Sequence, residues 1–322
     1  MSYFLFKRVL TLLATLAATS LIVFAVLEVL PGNAAEVLMG ADADPAAVAA
    51  KVVELGLDRP ALARYMDWMG GLLRGDMGNS YAYGSPVAEL IAERLHLTVP
   101  LAVLAMCLTA LLALTVGVYA ASQHNRLGDT GLMALAQVGI AIPNFWFAIL
   151  LIMLFSVKLQ WLSAGGFDGW YFDDGVWAGL WDGLKSLLLP AVALALVQAA
   201  ILARFTRSAV LEVLREDFVR TARAKGLSRR ATLWGHVLRN AMIPVITVMG
   251  LQFAELLAGT IVVENVFYLP GLGRLIFQSI ANRDLIVVRN CVMLLAAMVV
   301  AVNFFVDVLY AVIDPRVKAS EI

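Results

Sequence analysis

The chain is 322 residues long, 61% hydrophobic and only 15% charged, with a mean hydropathy of +0.85. Soluble globular domains carry about 25% charged residues, so this composition excludes a water-soluble fold and makes lipid the solvent for most of the chain. The 24 Lys and Arg balance the 24 Asp and Glu, which removes the electrostatic case for nucleic acid, and Cys107 and Cys291 both lie in apolar runs, which argues against a disulfide framework or a zinc site.

A hydrocarbon core of about 30 Å needs roughly 20 apolar residues in a helix. In chain order the qualifying segments are 9–30, 98–121, 132–157, 187–203, 241–263 and 291–313. The expected fold class is therefore all-α, a polytopic membrane protein with six transmembrane helices. Lys7 and Arg8 ahead of the first run, and Ala34 and Ala35 after it, resemble a signal peptide. The run is longer than the ~7–15 apolar residues of a cleaved leader, so it reads as a retained helix.

Orientation follows the basic residues of flanks and short loops. Lys7, Arg8, Arg126, the cluster from Arg204 to Arg239, Arg316 and Lys318 fall on one side, while Asp168, Asp173, Asp174 and Asp182 crowd a loop on the other. Both termini are expected on the cytoplasmic side of the membrane. The expected divisions are 1–30 (tip and first span), 31–97 (an extracytoplasmic segment), 98–313 (five further spans, with an inside loop at 204–240) and 314–322 (a cytoplasmic tail).

The 31–97 segment is too long to be a simple turn. Apolar recurrence predicts short helices over 45–57, 64–73 and 86–95, forming either a solvated cap or a docking surface. The second outside loop, 160–185, gathers Trp161, Trp170, Tyr171, Trp177 and Trp181. That density fits an aromatic belt at headgroup level or a patch facing a partner or substrate.

The inside loop carries the most information. From 210 to 225, Leu211, Leu214, Phe218 and Ala222 recur at helical spacing, with Arg215, Glu216, Arg220 and Arg223 on the other faces. Gly226 can then adopt the left-handed conformation that ends a helix, Leu227 can pack back, and Ser228 can cap a second helix from Arg229. A basic amphipathic helix can lie on anionic headgroups, but a tight Gly-Leu-Ser turn predicts a rigid helix-turn-helix knob projecting from the membrane.

Catalytic and nucleotide-binding signatures are missing from the sequence: Gly is nowhere followed by Lys, as a P-loop requires, and there is no His-Glu-x-x-His, Cys-x-x-Cys or Gly-x-Ser-x-Gly. His96, His124 and His236 are widely separated. Polar residues inside spans are costly unless they face a cavity or a partner. Asn144, Gln198, Gln252, Glu255 and Asp307 are the candidates for a translocation path, with Gln137 and Asn303 beside them and interhelical hydrogen bonding as the alternative. Gln252, Glu255 and Gly259 are expected on one face of the fifth span, and Glu255 has no evident cationic partner.

A series of blocks then carries a resemblance: Pro31-Gly32, Leu55-Gly56-Leu57-Asp58-Arg59-Pro60, Arg64-Tyr65, Gly75-Asp76-Met77-Gly78-Asn79-Ser80 and Pro86-Val87 in the first third. Ala141-Ile142-Pro143-Asn144-Phe145-Trp146, the run from Arg220 to Leu227, Arg239 to Pro244, Pro270-Gly271-Leu272-Gly273-Arg274 and Asp314-Pro315-Arg316 continue it. In order and position these resemble the first of the two permease subunits of bacterial dipeptide and oligopeptide ATP-binding-cassette importers. The resemblance implies a type I importer permease of the bacterial inner membrane, with no cofactor of its own. It further implies a second permease subunit, two ATPases that hold ATP and Mg, an extracytoplasmic substrate-binding protein and alternating access. It places ATPase coupling on Phe218, Arg220, Thr221, Ala222, Arg223, Lys225, Gly226 and Leu227. The Glu-Ala-Ala triplet of importers generally falls on Arg220, Thr221 and Ala222, so its acid is replaced here by a base. An ATP-independent secondary transporter or channel is the alternative reading, disfavoured by the lack of obvious internal repeats and of a run of intramembrane charge. A membrane-embedded enzyme is disfavoured by the missing catalytic constellations.

Overall fold

The computed structural model describes residues 2–29, 34–40, 43–167, 169–170 and 176–313. The blocks Pro31-Gly32 and Asp314-Pro315-Arg316, the tail 314–322 with Lys318, and Asp168, Tyr171, Asp173 and Asp174 lie outside the described residues. Among the described residues the chain is helical, with no strand beyond an isolated bridge between Asn79 and Pro86.

Among the described residues five helices are long and apolar enough to cross a bilayer, and a bent pair that passes the same test together brings the number to six when counted as one span. They are α1 (Ser2–Val29), α5 (Val87–Ser122), the pair α6 (Leu127–Ala141) and α7 (Asn144–Leu151), α8 (Val176–Val213), α11 (Leu238–Val266) and α13 (Leu285–Ile313). On one face of the bundle lie α2 (Ala34–Met39), α3 (Pro45–Glu54), α4 (Ala61–Leu73) and α12 (Leu272–Ala281). On the opposite face lie α9 (Asp217–Ala224) and α10 (Arg229–Thr232).

The expected third span is not one helix. Its halves meet at an angle of 101°, because Ile142 and Pro143 are extended (ψ 123° and 136°). Proline pushes the residue before it out of the helical region, so Ala-Ile-Pro-Asn breaks the span where apolar periodicity alone continues it. α7 then runs into a π-helical turn, Ile152–Lys158. The expected separate helix over 86–95 is also absent, since α5 is continuous from Val87. At about 1.5 Å per residue its 36 residues outreach the ~30 Å hydrocarbon layer, and its first turns stand outside it.

α5 tolerates Pro100 because another element answers the lost bond. Pro100 has no N–H for the carbonyl four residues earlier, that of His96, and the Trp170 indole donates to this oxygen at 3.0 Å. One tryptophan of the second outside loop is thereby a helix partner, while Trp161, Trp177 and Trp181 are exposed.

In lipid, helices associate through close van der Waals fit, which favours small residues. The buried face of α8 is a run of alanines, including Ala191, Ala195, Ala199 and Ala203. A methyl group at Gly117 of α5 would stand 2.7 Å from the Ala203 carbonyl oxygen, so glycine sets how closely α5 and α8 approach. α11 packs on α8 and α13, α1 lies on α13, and Arg8 pairs with Asp307 at 2.7 Å.

Buried carboxylates fix the face that carries α12. Thr98 of α5 donates its hydroxyl to Glu264 Oε1 at 2.6 Å and accepts the Leu272 N–H at 2.9 Å, while Glu264 Oε2 accepts the Gly273 N–H at 2.7 Å. The residue that caps α12 is Gly271, which has no side chain to do so, and the first N–H groups of the helix are satisfied from α5 and α11 instead. Asp284 starts α13 in the same way. It accepts from the Val287 N–H at 3.4 Å, and its other oxygen holds the Ser80 hydroxyl at 2.5 Å and the Ala82 N–H at 3.0 Å. Asn290 adds bonds to the Trp68 indole and the Met77 carbonyl, both at 2.9 Å. The block from Gly75 to Ser80 is thus a clip onto the start of the last span.

Candidate coupling and translocation site

The inside loop folds as a knob, with one correction to the expected helix over 210–225. α8 ends at Val213, and Glu216 is extended (φ −66°, ψ 146°) before α9 begins. The turn through Leu214, Arg215 and Glu216 shifts the helical phase. Val219 and Ala222 are buried on the bundle, and Phe218, expected on the apolar side, is 42% exposed.

The end of α9 follows the sequence expectation. Gly226 has φ +93°, the Leu227 N–H donates to the Ala222 carbonyl at 3.3 Å, and the Gly226 N–H donates to that of Arg223 at 3.0 Å. These are the two bonds of a Schellman turn, which requires a left-handed residue where glycine alone is unstrained. The Ser228 hydroxyl accepts the Ala231 N–H at 3.2 Å and caps α10. α10 passes through a π-helical turn, Leu233–Val237, directly into α11.

The knob is anchored and open at once. Val219 packs with Val118, Val210, Val237 and Val245 in a cluster joining α5, α8, α9 and α11. Arg220, Thr221, Arg223, Lys225, Arg229 and Arg230 face outward with Phe218, Leu227 and Trp234. Leu214, Arg215, Val219, Arg220, Arg223 and Leu227 line a concavity of about 690 Å³. The pair Arg220–Asp217 is long, 3.5 Å, and both side chains are largely exposed.

Of the translocation candidates, the structure gathers three. Gln198 of α8 donates to Glu255 Oε2 of α11 at 3.3 Å, and the Gln252 amide donates to the Gln198 carbonyl at 3.2 Å. Gln252 and Glu255 both reach Gln198 from α11, so their three-residue spacing puts them on neighbouring parts of one face; Gln252 is buried against α8, and Glu255 is exposed at the edge of that face. The side-chain carbonyls of Gln198 and Gln252 are buried without a partner, which is costly in an apolar surround. Asn144 sits apart, as the first residue of α7 just after the break, half-exposed. Such breaks are tolerated at membrane depth where they are buried in protein or line a polar cavity. Asp307 lies elsewhere, paired with Arg8 between α1 and α13. Gln137 accepts from Arg204 at 3.2 Å, and the Asn303 carbonyl is buried without a partner.

Sequence reasoning passed over the residues that hold these helices in place. Asp129, buried at the start of α6, takes two bonds from Arg207 of α8, at 2.5 and 2.6 Å. It looks like an ordinary acid in a loop until the partner, 78 residues away, is known. Glu264, fully buried, closes an apolar run just before Pro270-Gly271, and a charge there is the one available signal. Among the described residues no group of His, Cys, Asp and Glu could hold a metal ion.

Residues 113–319 match the family described as the binding-protein-dependent transport system inner membrane component, and residues 1–102 match its N-terminal region. The chain belongs to this family. Its relatives include the dipeptide transport system permease protein DppB of Alkalihalophilus pseudofirmus, 37% identical over 97% of this chain and 98% of that one. The di/tripeptide transport system permease protein DppB of Pseudomonas aeruginosa is 39% identical over 98% of both chains. The glutathione transport system permease protein GsiC of Salmonella choleraesuis is 40% identical, again over 98% of both.

Proposed function

We propose that this chain is half of the translocation pathway of an ATP-driven importer of small peptides, transmitting force from cytoplasmic ATPases through α9. The relatives are named for dipeptides, di/tripeptides and glutathione, all short peptidic molecules, which supports peptides as the substrate class. A second permease subunit completes the pathway as a heterodimer, and two ATPases hold ATP and Mg. An extracytoplasmic binding protein delivers the substrate at the face of α2–α4. The chain itself carries no catalytic residue or cofactor. Both termini and the knob lie in the cytoplasm, where the basic residues place them.

The observation that carries the reading is continuity. The knob is joined without a flexible linker to α8 on one side and, through α10 and the π-helical turn, to α11 on the other. These two helices bring Gln198, Gln252 and Glu255 together. Gln198 lies 15 residues from the end of α8, about 22 Å at helical rise, so a tilt of the knob reaches the polar cluster as a lever. Arg220, Thr221, Arg223, Lys225 and Leu227 supply the ATPase contacts, with Phe218 as the apolar anchor, Ala222 as the packing point and Gly226 as the fixed corner. Asn144, at the break, and the exposed Glu255 of α11 line the path. Asp307 is assigned to holding α1 through Arg8.

The test replaces Gly226 with Val, a residue disfavoured at φ +93°. In liposomes carrying the whole transporter, peptide-loaded binding protein should stimulate ATP hydrolysis in the wild type. It should stimulate it at least about tenfold less in Gly226→Val, as expected when a small misplacement breaks a force contact. Normal coupling in this variant would refute the assignment of the corner.

A further inference from the structure

On the face opposite the knob, α1, α4 and α13 enclose a cavity of about 250 Å³, far larger than the ~30 Å³ share of one water. Its floor comes from the last turns of α1, with Phe24, Leu27 and Glu28, and the first turn of α13, with Leu285, Ile286 and Arg289. Those are the places where two apolar spans leave the hydrocarbon layer, so the cavity sits at headgroup depth.

Two ion pairs line this cavity, and among the described residues Asp76 and Arg289 stand in it without one. Arg64 bonds Glu28, Arg59 bonds Asp67 at 2.6 Å, and Asp76 accepts the Gly78 N–H at 2.9 Å. Arg289 has no carboxylate within ion-pair distance among the described residues, and its Nε is buried without a hydrogen-bond partner. A guanidinium cannot lose its charge to relieve this. Its plane is held over the Trp68 ring at 5.3 Å, and Trp68 is itself fixed by its bond to Asn290. Tyr81 lines the same space; burial pushes its phenol above the usual value, so it keeps its proton, and its O–H makes only a long bond, 3.4 Å, to the Leu55 carbonyl, which an anion in the cavity would replace. A fixed, unpaired guanidinium fork beside a phenolic donor is built for a tetrahedral or planar oxyanion.

We propose that this cavity binds the phosphate of an anionic phospholipid headgroup, with Arg289 as its anchor and the Tyr81 hydroxyl as a second donor. Depth decides the source, since lipid phosphates are concentrated at the level where α1 and α13 emerge. The exposed Ile22 and Val26 on α1 give acyl chains an apolar surface to follow. The site is independent of the coupling role of α9 and stands whether or not that reading holds.

The experiment uses the full-length chain in the transporter complex with which it purifies, in nanodiscs of phosphatidylcholine with or without phosphatidylglycerol. Native mass spectrometry counts retained phosphatidylglycerol, and thermal unfolding reports its effect. The wild type should retain the anionic lipid and unfold at a higher temperature with it. Arg289→Gln should retain it about tenfold less, the loss of one charge-assisted contact, while unfolding in phosphatidylcholine alone no earlier than the wild type. Tyr81→Phe, which keeps the ring, should lose part of the lipid effect and covers the case in which Arg289→Gln does not fold. Equal lipid effects in wild type and variants would overturn the site. Inorganic phosphate reproducing the rise in phosphatidylcholine would overturn the lipid as source. A fall in the midpoint for Asp76→Asn that matches Arg289→Gln and ignores lipid would show an internal ion pair instead.

Discussion

The two ends of the bundle hold their shape by opposite means. At the end bearing α12, carboxylates are buried and saturated: Glu264 answers Thr98 and Gly273, and Asp284 answers Ser80, Ala82 and Val287. At the knob, local backbone bonds set the corner, and the charged side chains stay on the surface with few partners. The difference teaches what each end is for. An end whose polar groups are consumed internally is fixed against its own subunit, whereas an end that is rigid yet leaves its cations open fits the ATPase contact proposed for it.

The largest effect should come from breaking the first arrangement. Glu264→Ala leaves the Thr98 hydroxyl and the Gly273 N–H buried without an acceptor and opens a void beneath α12. A loss of about 3 kcal/mol is expected from stranded buried partners, seen as a lower unfolding midpoint and reduced accumulation in the membrane. Asp284→Ala comes next. It removes the α13 cap and both bonds to the 80–82 turn, a loss of about 2 kcal/mol from a cap and a buried hydrogen bond. Its specific signature is local: the clip from Gly75 to Ser80 should become cleavable in limited proteolysis while α9 stays protected. If both substitutions left the midpoint unchanged, the buried carboxylates would not be what fixes this end.

Much of this was legible in the sequence, and the remainder failed for identifiable reasons. Apolar length gave the spans, and Gly226 with Ser228 gave the corner of the knob, because those signals are local. Family membership and the peptide permease resemblance were readable from the ordered blocks. The bend at Pro143 was hidden because apolar content runs through it, although the proline and its preceding residue carried the physical cause. The phase of α9 was misread because three residues of turn, Leu214 to Glu216, move every later side chain around the helix. The carboxylate locks could not be read at all, since Glu264 and Thr98 lie 166 residues apart, and Asp284 and Ser80 lie 204 apart. Long-range polar pairs leave no period in the sequence.

The smallest effect sharpens the comparison most. Ser228→Ala removes one bond, from the Ala231 N–H, while the Schellman turn at Gly226 stays in place. A lost N-cap costs about 1 kcal/mol, a factor of about five in the local opening equilibrium. Because the Ser228 bond lies wholly within the first turn of α10, that cost should be confined to this turn: amide exchange at Ala231 should accelerate by about that factor, with the global midpoint nearly unchanged, as for local opening. Exchange at Gly273, at the other end, should not respond. If Ser228→Ala instead lowered the midpoint as much as Asp284→Ala, the knob would be part of the same cooperative unit as the α12 end. Force applied at α9 would then be resisted by the whole bundle, and not passed along α8 and α11 toward Gln198 and Glu255.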